Sequence, residues 1–130
     1  MSDFPKITSE TLYKRLLAFA QKSQKFITIL PKTIYNIEYG KQLIRSSASP
    51  GSNYIEAIEA GSRREFTHRL RICRKEVKES VHWLKLIESA NNNVMGLQEE
   101  INEIIQEAQQ LIKIFTSSII TSERNREINK

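Results

Sequence analysis

Gly40-Lys41-Gln42-Leu43-Ile44-Arg45-Ser46-Ser47-Ala48-Ser49-Pro50-Gly51-Ser52-Asn53-Tyr54-Ile55-Glu56-Ala57-Ile58-Glu59-Ala60-Gly61-Ser62-Arg63-Arg64-Glu65 is the stretch on which the reading of this chain turns. Outside it, apolar residues recur at steps of three and four, as on helices packed by one face. Inside it, small residues, a proline, an asparagine and a glutamate interrupt that pattern within two turns of one another. Ile34, Ile37, Lys41, Ile44, Ala48, Gly51, Ile55 and Ile58 nevertheless keep the three-four register, with Lys41 the one misfit. This line predicts a helix that starts near Lys32 or Thr33 and turns these residues inward. Pro50 lies deep inside it, where it removes the bond to the Ser46 carbonyl at a cost of roughly 3 kcal/mol. Either the helix breaks or it kinks and continues. The register resumes without a phase jump, and Ser46, Ser47 and Ser49 can satisfy freed backbone groups, which favours the kink. Small side chains from Ser46 to Ser52 also let a neighbouring helix approach closely.

Gly61 and the following Ser62-Arg63-Arg64-Glu65 form a stop and a start. The glycine suits a left-handed C-terminal position, and Ser62 with Glu65 has capping-box spacing. Beyond it, Phe66, Leu70, Cys73, Val77, Ser80, Leu84 and Ile87 make an unbroken line, widened by Ile72, Trp83 and Leu86. Asn91-Asn92-Asn93 reads as a turn. The fourth helix carries Val94, Leu97, Ile101, Ile104, Ala108, Leu111, Phe115 and Ser118, with Ile105, Ile112 and Ile119 as a parallel line. Two such lines suit a wide core and also self-association.

On the N-terminal side, Thr8 fits a cap, with Ile7 and Leu12 as a hydrophobic staple. Leu12, Leu16, Phe19, Ser23, Phe26 and Leu30 continue the seam until Pro31 ends it. Residues 1–7 and 123–130 read as loose termini of a single domain, 1–130. The expected fold is all-α, an antiparallel up-down-up-down four-helix bundle, because short connections make successive helices antiparallel neighbours.

A chain of 130 residues can bury one core without staples. One cysteine forms no internal disulfide, and there is neither a signal-peptide pattern nor an apolar run long enough to span a bilayer. The expected location is cytoplasmic, with no membrane partner. The net charge of +5 is uneven: residues 1–90 carry +7 and residues 91–130 carry −2. Between Ala60 and Leu86 there are eight basic and three acidic side chains, an excess compatible with a polyanionic partner.

The segment Gly40 to Ala57, with Arg64-Glu65-Phe66, Leu70-Arg71-Ile72-Cys73, Lys75-Glu76 and Glu79-Ser80, resembles the bacterial four-helix bundle proteins related to the 23S rRNA-intervening-sequence protein. That group also resembles the accessory proteins of diversity-generating retroelements. The likeness runs over residues 10–120, though Pro50 stands where many relatives carry an aliphatic residue. It implies a basic homo-oligomer, a pentameric ring in some members, with a nucleic-acid connection.

The most regular polar feature lies on helix three. Arg64, His68, Arg71, Lys75, Lys78, His82 and Lys85 follow three-four steps about 200° from the apolar line. With Arg63 and Arg74 beside it, this row can meet phosphates at successive turns, which requires charge and spacing rather than base-specific groups. The bland alternative is a solvated face. Arg45, Ser49, Pro50, Asn53 and Glu56 form a second constellation, either a partner-docking surface or, the better reading, groups that satisfy the backbone near Pro50 and pair across helices. Glu65-x-x-His68 and Glu79-x-x-His82 have the spacing of di-iron bundles. Both lie on one helix about 21 Å apart, with their histidines facing away from the apolar line, so no metal is expected. Cys73 reads as a buried small hydrophobe. Trp83 reads as packing, in the core flank or at a subunit interface, and Tyr39 and Tyr54 either stack on bases or, the better reading, pack in the core or an interface. No phosphate-cradling glycine loop or catalytic triad is present, so neither enzymatic activity nor a cofactor is expected. Two function classes remain: a nucleic-acid-binding protein of low sequence specificity, or a scaffold that docks a nucleic-acid enzyme such as a reverse transcriptase.

Overall fold

Thr8 and Thr11 satisfy one another's backbone where the first helix begins. The Thr8 hydroxyl accepts from the Thr11 N–H at 3.1 Å, and the Thr11 hydroxyl accepts from the Thr8 N–H at 2.9 Å. This reciprocal cap uses Thr11 where a glutamate or glutamine is usual. Thr33 and Ser62 cap the second and third helices through the N–H groups of Asn36 and Glu65. The computed structural model describes residues 7–128, with α1 at Ser9–Thr28, α2 at Ile34–Ile58, α3 at Arg63–Ala90, α4 at Leu97–Ile128, and no strand among those residues.

The helices pack in a ring, α1 on α2, α2 on α3, α3 on α4 and α4 on α1. Tyr54 reaches across it to meet the Phe115 ring edge-on at 6.3 Å. Contacts between neighbours run in opposed numbering. From α2 to α3, Asn36 meets Asn91, Ser46 meets Ser80 and Asn53 meets Arg69. From α1 to α4, Arg15 grips Glu107 through two hydrogen bonds of 2.6 and 3.0 Å, and Lys22 meets Glu103 at 2.8 Å.

All six residues of the expected first seam are buried, five on α1 and Leu30 just beyond its end; on α3 the line from Leu70 to Ile87 is buried and Phe66 packs half-buried against the core. On α4 the Leu97-to-Phe115 line is buried, and Ile105 and Ile112 pack against the same core rather than standing free. Helix α2 departs from expectation. Ile34, Ile37, Ile44, Ile55 and Ile58 are 72, 48, 42, 48 and 48% exposed, and Lys41 and Ala48 on the same line are also exposed. The buried residues are Asn36, Gly40, Leu43, Ser46, Ser47, Pro50, Tyr54 and Ala57. Both sets obey three-four spacing. The inner set wins because its small side chains let α1 and α3 close in. A Cβ added at Gly40 would lie 3.2 Å from Ile27 Cγ2, so α1 already occupies that space.

The buried serine and threonine hydroxyls among the described residues are all engaged. Ser46 and Ser80 Oγ atoms lie 2.8 Å apart between α2 and α3, and Ser80 also donates to the Glu76 carbonyl at 3.0 Å. Helix α2 runs through Pro50 without a break, and the Cys73 thiol donates to the Pro50 carbonyl at 3.4 Å.

The helix ends bring further corrections. Gly61 does not take the left-handed conformation. Glu59 and Ala60 N–H groups close the end of α2 on the Ile55 and Ala57 carbonyls, and the Glu65 carboxylate accepts from Gly61 N–H at 3.2 Å. The left-handed glycine is Gly96, with φ of 87°, which turns the chain into α4. Val94 therefore precedes the fourth helix and packs half-buried from the turn. Helix α4 continues through Ile128, past the Glu123 at which polar composition predicts looseness; residues 1–6 and 129–130 of the expected loose termini lie outside the described residues.

One interhelical tie has no apolar signature. Asn36 and Asn91 exchange amide hydrogen bonds of 2.8 and 2.7 Å, and their amides also donate to the Pro31 and Ile87 carbonyls at 2.9 and 2.6 Å. This pair joins the α1–α2 connection to the end of α3. Asn91→Ala strands the Asn36 side chain and is expected to lower stability by about 1–3 kcal/mol, seen as a lower urea midpoint at unchanged slope. The Asn36→Ala/Asn91→Ala double variant should lose less than the sum of the two single losses. Strict additivity would show that the pair is not coupled.

Candidate nucleic-acid interface

Helix α3 buries Leu70, Cys73, Val77, Leu84 and Ile87, and so forces the opposite face to solvent. Arg63, Arg64, His68, Arg71, Lys75, Lys78, His82 and Lys85 are all exposed, whereas Arg74 is half-buried against α4 and donates to Thr116 Oγ1 at 3.3 Å. From Arg64 to Lys85 the row spans about 32 Å, the length of about nine base pairs of duplex. Its charges are not equally free. Arg71 pairs with Glu123 of α4, and Lys75 stands 3.9 Å from Glu76. Among the described residues Arg63, Arg64, Lys78 and Lys85 form no ion pair. Two open depressions lie along the row, one lined by Arg64, Glu65, His68 and Arg71, the other by Arg71, Arg74, Lys75, Lys78, Glu79 and His82. Such a surface can hold an extended polyanion. It holds no nucleophile paired with a base.

The second constellation is split into separate ties. Arg45 reaches Glu76 at 3.1 Å and Glu79 at 3.3 Å. The Asn53 amide donates to the Ser49 carbonyl and hydroxyl at 3.1 and 2.9 Å, and its oxygen accepts from Arg69 Nη1 at 3.1 Å. Pro50 is buried, and Glu56 is exposed with no ion pair or side-chain hydrogen bond among the described residues. These groups form no common pocket; Arg45, Pro50 and Asn53 bind α2 to α3, and Ser49 holds Asn53 from within α2. Sequence reasoning did not single out Arg69. Its position four residues before Cys73, on the α2 side of the apolar line, is the signal that separates it from the outward row.

Glu65, His68, Glu79 and His82 remain on the outer flank of α3, and among the described residues no group of three or more His, Cys, Asp or Glu side chains is gathered to hold a metal. No helix is long and apolar enough to cross a membrane among the residues described. Tyr54 is core, as expected, whereas Tyr39 and Trp83 are half-buried and stand ring against ring at 6.1 Å on the α2–α3 surface.

The model of the 23S rRNA-intervening sequence protein family matches residues 9–117. A crystal structure of a protein with unknown function from the S23 ribosomal protein family, from Bacteroides thetaiotaomicron VPI-5482, is similar to this chain with a TM-score of 0.74 and 26% identity, over 87% of this chain and 98% of that one. No curated protein matches.

Cys73 lies beneath the row, fully buried at the contact of α3 with the Pro50 turn. Burial pushes its thiol up from 9.0 to about 12. The folded thiol thus stays neutral while the unfolded one ionises, so its contribution to stability is complete below pH 9 and is lost as pH rises toward 12. Iodoacetamide at about pH 8 should leave the native chain unmodified and alkylate it fully in urea. Alkylation of the native chain at the unfolded rate would show that Cys73 is not sealed in the core.

Proposed function

The chain belongs to the 23S rRNA-intervening sequence protein family, and from that premise we propose that it is a non-enzymatic nucleic-acid-binding bundle with little sequence preference. The observation that carries this reading is the row from Arg64 to Lys85. Four of its neighbouring cations, Arg63, Arg64, Lys78 and Lys85, have no carboxylate partner among the described residues, on a face that the core of α3 turns to solvent. Guanidinium and ammonium groups at successive turns neutralise phosphates and release counterions, an interaction that reads charge rather than bases.

The reading includes an antiparallel up-down-up-down bundle, supported by the opposed numbering of contacts between neighbouring helices. It also includes self-assembly. The exposed Ile37, Ile44 and Ile55 lie on one line of α2, and Leu17 of α1 is exposed as well, more apolar surface than a solitary bundle needs to show. A second copy covering that line leaves the α3 row free, and copies joined in a ring multiply it.

Binding of RNA or DNA should weaken steeply with salt, with a log–log slope of about −0.9 per phosphate neutralised on duplex. The Arg71→Glu/Lys75→Glu variant should lose at least about tenfold in affinity at about 50 mM salt and flatten that slope by about two units. No detectable binding at that salt rules the reading out. A retained protein partner after nuclease treatment, without nucleic-acid binding, instead favours the scaffold that docks a nucleic-acid enzyme. For assembly, light scattering should give a multiple of 15.1 kDa, and Ile44→Glu/Ile55→Glu should reduce it to 15.1 kDa with helix content kept. A wild-type 15.1 kDa species at micromolar concentration excludes assembly.

A further inference from the structure

An aromatic row leaves the basic face of α3 at His82 and crosses to α2. His82 meets Trp83 edge-on with ring centroids 4.9 Å apart; Trp83 meets Tyr39 at 6.1 Å and 30°; Tyr39 meets Tyr35 at 6.2 Å and 35°. The row is open at both ends, since His82 is exposed and Tyr35 is 59% exposed. Core packing does not account for Tyr35, because the buried line of α2 at that end runs through Asn36 and Gly40. Trp83 also carries a buried indole N–H that has no acceptor among the described residues.

We propose that this row is a stacking platform for the bases of single-stranded nucleic acid, whose backbone lies along the α3 cations. The proposal rests on the nucleic-acid reading above and adds a strand preference to it. Two observations favour an anionic strand over another protein surface. His82 belongs at once to the aromatic row and to the depression lined by Arg71, Lys75 and Lys78, so bases and phosphates of one strand can be served together. The carboxylates flanking the row are already matched: Glu79 pairs with Arg45 at 3.3 Å, and Glu38, one turn from Tyr35, lies 3.6 Å from Lys41. Duplex bases are stacked on one another and cannot reach these rings, whereas each base of a single strand offers a π-face, so the platform tolerates any sequence.

Trp83 is the only tryptophan of the chain and reports on its own site. An oligo(A) RNA strand should quench its fluorescence and bind more tightly than the same strand paired with oligo(U), at equal salt. Tyr35→Ala should weaken oligo(A) binding by roughly 5- to 100-fold, the range for loss of one stacked base, and leave duplex binding unchanged. Arg71→Glu/Lys75→Glu should weaken both forms. Equal binding of strand and duplex, with both indifferent to Tyr35→Ala, overturns the platform and leaves the phosphate-binding row standing. Failure of both forms to bind overturns both proposals. A change in assembled mass on Tyr35→Ala, with oligo(A) affinity intact, also overturns the platform and makes the row a contact between copies of the chain.

Discussion

Pro50 takes one backbone donor from the middle of α2, and the way its surroundings accommodate that loss governs the bundle. The helix continues through Pro50; the carbonyl that the proline leaves without its donor is that of Ser46, and contrary to expectation the neighbouring hydroxyls bond elsewhere, Ser47 on Ile44, Ser52 on Ser49 and Ser46 with Ser80. Pro50 itself is buried, and its carbonyl receives the Cys73 thiol from α3. An interior proline is tolerable when packing against neighbouring helices outweighs the hydrogen bond that the regular helix lost. Here the neighbour must come very close, and only serine, glycine and alanine leave room for it.

That close contact is specified by polar groups more than by apolar bulk. The Asn36–Asn91 amides at one end, Ser46–Ser80 in the middle and Arg69–Asn53 toward the other end tie α2 to α3 along its length. Thr67 and Ser122 make a similar tie between α3 and α4. Apolar surfaces slide past one another at modest cost, whereas a buried hydroxyl or amide displaced by one turn loses its partner and its solvation together. The ties therefore set the rotation of α3 about its axis. Given that rotation, the row from Arg64 to Lys85 faces water, and the half-buried rings of Tyr39 and Trp83 are held on the α2–α3 surface.

The outer surface divides accordingly into faces of different chemistry. The α3 face is cationic, and α2 exposes Ile37, Ile44 and Ile55 on a separate line. The assembly and the polyanion contact proposed for this chain use different faces, so one need not displace the other.

By itself the sequence determined the four helices, the caps at Thr8 and Ser62, the inward lines of α1, α3 and α4, and the outward position of the α3 cations other than Arg74. In each of those helices one apolar face, a wide one on α4, stands opposite polar and charged residues, and burying that face is the strong term. It did not determine which face of α2 is inside. That helix carries two three-four lines, one of isoleucines and one of small and polar residues, and periodicity reports that a stripe exists without saying what covers it. Only the tertiary structure decided, because the polar line can be buried only if Ser80, Asn91 and the close approach of α1 at Gly40 are already in place. The same holds for Arg69 and the aromatic row, whose members come from two helices and become neighbours only when α2 and α3 pack.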